Sequence, residues 1–348
     1  MSKIKMLVLS LTGQCNYACK YCYAAYHDAH YLTSENAIKA LEIAVTHNTK
    51  ANAMEPFILQ FSGGEPLLNW ETLQAVVEYV ETKHIPAQLQ VQTNGSLLTD
   101  AIAKYLYTHK VGIGVSLDGR PKVNDRQRLT KSGASAAMLT IKGIEVLKRN
   151  NIACGVTCVV TSENVDELDG IVELAYYLGN VRRLGFDLLR YQGRGSAMQP
   201  PAKEAMAKAI AKVFAKNELL AQSFGYKIHI TQHEKCEQLK GNVEKNLGFA
   251  HCIAMNGEAL FVDAQGKFYA CASFVDDGDF YLGDVTQGIL QEQAEKIAIK
   301  VKKAMSFCCE CKELADCGGG CLARWYKQDN FEPYTSECVL KLQANEKL

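Results

Sequence analysis

Six short runs rich in apolar and β-branched residues, each separated from the next by a helical pattern, fill the first 190 residues of this 348-residue chain. The runs are KIKMLVLSLT, PFILQFS, AQLQVQT, VGIGVSL, IACGVTCVV and RRLGFDLL. Between them lie SENAIKALEIAVTHN, NWETLQAVVEYVET, TDAIAKYLYTH, SAAMLTIKGIEVLKRN and NVDELDGIVELAYYLG, whose apolar residues recur at helical spacing. Strands that alternate with helices pair in parallel, because a crossover helix returns the chain to the same end of the sheet. Right-handed crossovers roll such a sheet into a doubly wound sheet or a barrel, complete or partial, with functional loops at the strands' C-terminal ends. The first four of those loops are TGQCNYACKYCYA, SGGEP, TNG and SLDG, and all four face one rim.

The first loop sets Cys15, Cys19 and Cys22 in C-x3-C-x2-C spacing. The chain has 14 cysteines and no export signal, so metal binding explains them better than a disulfide framework. Structural zinc closes with four N or S ligands, commonly in two separated pairs, and three close cysteines are an incomplete set. A cubane iron–sulfur cluster can be held by three thiolates with one iron left open to another ligand. His27 and His30 follow closely and offer a fourth zinc ligand, so on spacing alone zinc competes. Cys154 and Cys158 alternate along a strand pattern and read as small buried hydrophobes.

Composition narrows the classes further. Lys and Arg total 38, as do Asp and Glu, which leaves no global field for nucleic acid or an anionic membrane. No apolar run approaches the roughly 20 residues of a membrane-spanning helix, and MSKIKMLVLSLTG lacks a cleavage site, so a cytoplasmic location is expected. Beyond the Gly/Pro-rich break YQGRGSAMQPP comes the helical pattern AKEAMAKAIAKVFAKNELLAQ, a bridge. From about Cys252 the pattern turns to short strands and cysteines, with GEALFVDAQGKFYACASF reading as a hairpin that turns at DAQG. Three parts are expected: a barrel-like domain over 1–200, a bridging helical region over 201–250 and a small Cys-rich domain over 251–348. GRPKVNDRQR, after the fourth strand, reads as a mobile charged loop in which Arg126 or Arg128 can meet a carboxylate.

In FSGGEP, consecutive glycines let the backbone approach a ligand, and Glu65 is an acceptor for an ammonium group. CNYACKYC, followed in order by SGGEP, TNG and SLDG, resembles the signature of radical S-adenosylmethionine (SAM) enzymes over residues 3 to about 190. The resemblance implies an α/β fold, a partial (β/α)6 barrel. It also implies that Cys15, Cys19 and Cys22 bind a [4Fe–4S] cluster whose open iron is chelated by SAM. Tyr21 is then expected near the adenine, Gly63, Gly64 and Glu65 at the methionine amino group, and Ser116 at the ribose. Ser62 stands where anaerobic sulfatase maturases carry Gln.

The later cysteines follow a second grammar: Cys252, then Gly266-x4-Cys271, then Cys308-x2-Cys311-x5-Cys317-x3-Cys321, and Cys338. This resembles the SPASM domain of enzymes that mature peptides and proteins, which holds two auxiliary iron–sulfur clusters. Interleaved ligation then assigns Cys308, Cys311, Cys317 and Cys338 to a distal cluster and Cys252, Cys271 and Cys321 to a proximal one. The proximal set lacks a fourth cysteine, because Glu258 stands in its place. Either one iron is open, or Glu258, Cys236 or Cys309 closes the site; an open iron is expected. Ala272 replaces the Asp that serves sulfatase maturases as base, which argues against sulfatase maturation and leaves the catalytic acid or base unassigned. The resemblance implies oxidative modification of a peptide, by a thioether or carbon–carbon bond, with a small molecule or metal-cofactor precursor as the alternative substrate. A ferredoxin-like electron carrier is the competing class. Expected partners are the peptide, an electron donor such as flavodoxin or ferredoxin, and a separately encoded leader-binding protein, since the first strand begins within a few residues of Met1.

Overall fold

The structure, a computed structural model, describes residues 3–50, 55–240, 252–326 and 335–346. All six expected strands form: β1 (Met6–Ser10), β2 (Phe57–Ser62), β3 (Ala87–Thr93), β4 (Gly112–Ser116), β5 (Cys154–Val160) and β6 (Val181–Leu188). They pair in parallel in sequence order. The intervening helices are α1 (Ser34–Lys50), α2 (Trp70–Thr82), α3 (Asp100–Thr108), α4 (Pro121–Gln127), α5 (Ala136–Arg149) and α6 (Asp169–Leu178).

Strand alternation separates two faces. Phe57, Leu59 and Phe61 of β2 are buried on one side, where they meet helices, while Ile58, Gln60 and Ser62 are half-buried on the other. The helices supply matching stripes, as with Ala37, Ala40, Leu41 and Ala44 of α1. Each fully buried Leu or Val contributes about 1.5–3 kcal/mol relative to exposure. Thr99 and Ser135 cap α3 and α5 by accepting from the N–H groups of Ile102 and Met138. Cys154 and Cys158 sit in the β5 core as small hydrophobes.

Two features differ from expectation. GRPKVNDRQR is ordered: Pro121 starts α4, and Val123, Asn124 and Gln127 are buried. Its anchor is the buried carboxylate of Asp118, which accepts from Gln127 Nε2 (3.0 Å) and from Val159 N (2.9 Å), while Asn124 Oδ1 accepts from Asp118 N (3.0 Å). Second, the sheet runs past the expected boundaries. After α7 (Lys203–Phe224), β7 (His229–Ile230) extends β6 in parallel and leads into α8 (Thr231–Lys240). At the opposite edge β8 (Ala259–Val262) pairs in parallel with β1. The hairpin of β8 and β9 (Lys267–Tyr269), then β10 (Tyr281–Asp284) and β11 (Gly288–Ile289), complete one 11-stranded sheet in the order β11-β10-β9-β8-β1-β2-β3-β4-β5-β6-β7. The parallel part is an open barrel, and β8 to β11 are a mixed extension. Beyond it lie α9 (Gln291–Ala304), the four-residue helices α10 (Ser306–Cys309), α11 (Leu314–Cys317) and α12 (Leu322–Trp325), and α13 (Thr335–Glu346). Among the described residues no helix is long and apolar enough to cross a membrane.

Candidate active site

The loops after β1 to β4 and after β6 enclose a cavity of about 500 Å³ at the barrel rim. Cys15, Cys19 and Cys22 all line it, as do Tyr21, Ser62, Gly63, Gly64 and Ser116. The cysteine loop is clamped from two sides. Gly64 N donates to Thr12 O (2.6 Å) and Glu65 N to Gln14 O (2.8 Å), so the Gly-Gly loop lies directly on its backbone. A Cβ on Gly63 would fall 2.4 Å from Thr12 O, and one on Gly64 would fall 2.1 Å from Gln14 O. The glycines are thus required by the close approach of two backbones, in addition to any ligand. From the other side Asn94 Nδ2 donates to Asn16 Oδ1 (2.8 Å) and lies 3.9 Å from Cys15 Sγ. Burial pushes the Cys15 thiol up to about 11, although Tyr17 N–H stabilises its thiolate.

Glu65, expected at an ammonium group, is fully buried directly after the cavity-lining Gly63 and Gly64. Its fully buried carboxylate accepts from Leu67 N (3.1 Å), Thr93 Oγ1 (2.6 Å) and Asn94 N (2.7 Å), tying the Gly-Gly loop to the end of β3. The motif spacing that suggested a ligand contact is equally the spacing that lets Glu65 cap the turn after β2 and reach β3. Tyr21 presents its ring to the cavity, while its hydroxyl donates to Asp118 (2.6 Å) and accepts from Arg128 Nη1 (2.5 Å). Ser116 Oγ accepts from Gln92 Nε2 (2.9 Å).

Of the two arginines singled out from α4 and its edge, Arg126 turns outward to Glu167 (2.6 Å). Arg128 is buried, lines the cavity and carries a buried Nε with no hydrogen-bond partner. An unpaired guanidinium N–H beside three cysteines suits an anionic ligand group such as a carboxylate. Of the histidines weighed as zinc ligands, His30 pairs with Asp28 at the surface, and His27 lines the cavity against Tyr23, ring centroids 5.9 Å apart. Among the described residues no three His, Cys, Asp or Glu converge to hold a single metal ion.

The C-terminal cysteines fall into two groups. Cys252, Cys271 and Cys321 line one small pocket with Ala270, Phe274 and Phe280. Burial raises the thiols of Cys271 and Cys321, with Cys252 beside them adding to the rise; burial likewise raises Cys308, Cys317 and Cys338, where the nearby cysteines, Cys311 among them, add to it. Glu258 is held elsewhere: its carboxylate pairs with Lys5 (2.7 Å) and its carbonyl caps the start of β1. Cys309 is exposed, and the Cys236 side chain lies outside the described residues.

The Radical SAM superfamily domain matches residues 9–175. An uncharacterized protein of Methanocaldococcus jannaschii is 30% identical over 316 residues, spanning 89% of this chain and 96% of that protein. This chain belongs to the radical SAM superfamily. Another similar protein, the radical SAM cyclopropyl synthase TigE of Paramaledivibacter caminithermalis, is 27% identical over 341 residues, 92% of this chain and 68% of TigE. Among solved structures, native anSMEcpe with bound AdoMet and Cp18Cys peptide shares the fold, with a TM-score of 0.78 at 20% identity over 99% of each chain.

The motifs leave part of this cavity unmarked. Asp187, Arg190 and Arg194 line it from β6 and the segment that had read as a Gly/Pro-rich break. Arg194 Nε donates to Cys19 O (2.8 Å) and its backbone N–H to Cys22 O (3.0 Å), fixing the cysteine loop from a third side. The available signal was position: this segment follows β6 and therefore opens onto the same rim.

Proposed function

We propose that this radical SAM chain reductively cleaves SAM and uses the resulting radical to modify a peptide oxidatively, forming a carbon–carbon or thioether bond. The observation that carries the reading is the convergence of Cys15, Cys19 and Cys22, the Gly-Gly loop, Ser62, Ser116 and Arg128, whose Nε has no partner, on one cavity. When bound, a [4Fe–4S] cluster at the three cysteines supplies an electron to SAM, whose cleavage yields methionine and a 5′-deoxyadenosyl radical. Arg128 is suited to the methionine carboxylate, the Gly63–Gly64 backbone to the amino group, Ser116 to the ribose and Tyr21 to the adenine.

Ten cysteines in three groups support three clusters, with the two C-terminal ones as acceptors for the electron that an oxidative product leaves behind. The similarity to TigE, a cyclopropyl synthase, and to anSMEcpe, solved with a peptide, supports a peptide substrate. A second hollow of about 750 Å³ inside the barrel shares Gln60, Gln92, Thr157 and Asp187 with the rim cavity. Its size and polarity favour, as a second reading, a bulky polar small molecule reaching down the barrel.

The test is anaerobic reconstitution. About twelve irons per chain are expected, and about four fewer after Cys15, Cys19 and Cys22 are all replaced by Ala. Reduction with SAM should release methionine and 5′-deoxyadenosine only when those three cysteines are present. Stoichiometric zinc without iron uptake, or iron without SAM cleavage, overturns the reading. A short peptide encoded beside the gene that loses two hydrogens in the reaction separates the peptide from the small-molecule substrate.

A further inference from the structure

Arg190 touches both halves of the machinery. It lines the rim cavity, and its guanidinium lies 4.8 Å from the centroid of Tyr23, the residue after Cys22. Nη2 donates to Asp187 (2.8 Å), while Nη1 donates to Ser273 Oγ (3.1 Å), two residues beyond Cys271. Its buried Nε has no partner. Arg324, three residues after Cys321, reaches the same carboxylate: Nη2 pairs with Asp187, and Nη1 donates to Glu337 (2.6 Å).

Charge is therefore distributed unequally over the C-terminal cysteines. Around Cys252, Cys271 and Cys321 stand Arg190, Arg324 and the half-buried Lys235, opposed by Asp187 and by Glu337, whose Oε2 accepts from Cys321 N (3.2 Å). Around Cys308, Cys317 and Cys338 the facing charges are Glu337 and Lys341, which pair with each other at 2.9 Å and nearly cancel. Arg190 keeps one buried donor, Nε, without a hydrogen-bond partner. A positive charge fixed beside an iron–sulfur site stabilises its reduced, more negative state and raises its potential.

We propose that Arg190 sets the order of electron uptake in the C-terminal region, so that an added electron resides first at the Cys252–Cys271–Cys321 group, next to the cavity, and only then at the Cys308–Cys311–Cys317–Cys338 group. Arg190 is a positioning residue: it acts through a neighbouring centre and exchanges neither atom nor proton with a substrate. Each reduction adds one electron, which dithionite supplies in the test. The proposal rests on the cluster reading above.

The reference protein is the full chain with Cys15, Cys19 and Cys22 replaced by Ala, reconstituted with iron and sulfide and titrated potentiometrically under electron paramagnetic resonance. Cys321→Ser and Cys311→Ser, each altering one signal, assign the two centres. The centre at Cys321 should reduce at the higher potential. Arg190→Gln should shift that centre downward and leave the other in place, and Arg190→Lys should restore most of the shift. Reduction of the Cys311 centre first, or an Arg190→Gln shift that is absent or equal at both centres, overturns the proposal. If Arg190→Gln does not retain iron, Ser273→Ala removes only one of its anchors. A smaller downward shift confined to the Cys321 centre then supports the proposal, and no shift overturns it. About eight irons in the reference protein with the wrong order sinks this inference alone, whereas no iron sinks the cluster reading as well.

Discussion

The two cysteine-bearing regions are held by opposite means. The N-terminal loop sits on parallel strands of five to seven residues and is clamped mostly by backbone and amide hydrogen bonds, from Gly64, Glu65, Asn94 and Arg194. Apart from Cys338, on the 12-residue α13, the C-terminal cysteines sit in or beside helices of three or four residues and strands of three or four, too short to persist by themselves. What braces them is a buried ionic cluster. Glu337 accepts from Arg324, Lys341, Trp325 Nε1 (3.2 Å) and Cys321 N, and Lys341 also reaches Gly319 O (2.5 Å). Burial would raise the Glu337 carboxyl, but Arg324 and Lys341 hold it far below the usual range. The first frame bonds its charged members, Glu65 and Arg194, to backbone and hydroxyl partners, and Arg128 of the rim cavity keeps a donor for a ligand. A frame of ions both supports the later cysteines and fixes the field around them.

The largest effect that tests this contrast is expected from Glu337→Ala, which leaves Arg324 and Lys341 buried without their common partner. The C-terminal region should lose about 3–5 kcal/mol, read by Trp325 fluorescence in urea in a Trp70→Phe background, while the barrel transition, read by Trp70 fluorescence in a Trp325→Phe background, stays in place. Joint loss of both transitions would mean that the regions do not differ in the way described.

A smaller effect is expected from Glu65→Gln. The new amide N–H groups meet the N–H of Asn94 or the donors at Oε1, so stability should fall by about 1–3 kcal/mol. SAM affinity should follow only as far as the loop loosens. A roughly ten- to hundredfold loss of SAM affinity at unchanged stability would return Glu65 to the ligand site.

The smallest effect is expected from Cys309→Ser, an exposed position. Stability should stay within about 0.5 kcal/mol and iron content should not change. Loss of iron would make Cys309 the missing fourth ligand of the Cys252 group and end the expectation of an open position there.

Near neighbours in the sequence determined much of this protein. Strand alternation and helical stripes are patterns over a few residues, so β1 to β6, their helices and the shared rim were legible, as was the spacing of the cysteine loop. The charges of GRPKVNDRQR read as a mobile loop where the structure has α4, because nothing local reveals that Asn124 and Gln127 turn inward to Asp118. Tertiary structure alone decided the remainder. It put β8 on the free edge of β1, tied the Glu65 carboxylate to Thr93 and Asn94, and brought Arg190 between the two halves. It also joined Arg324 to Asp187, 137 residues away. Such partners leave no periodic trace, because a buried charge is stabilised by whichever opposite charge the fold delivers to it, and the fold is set by the apolar pattern.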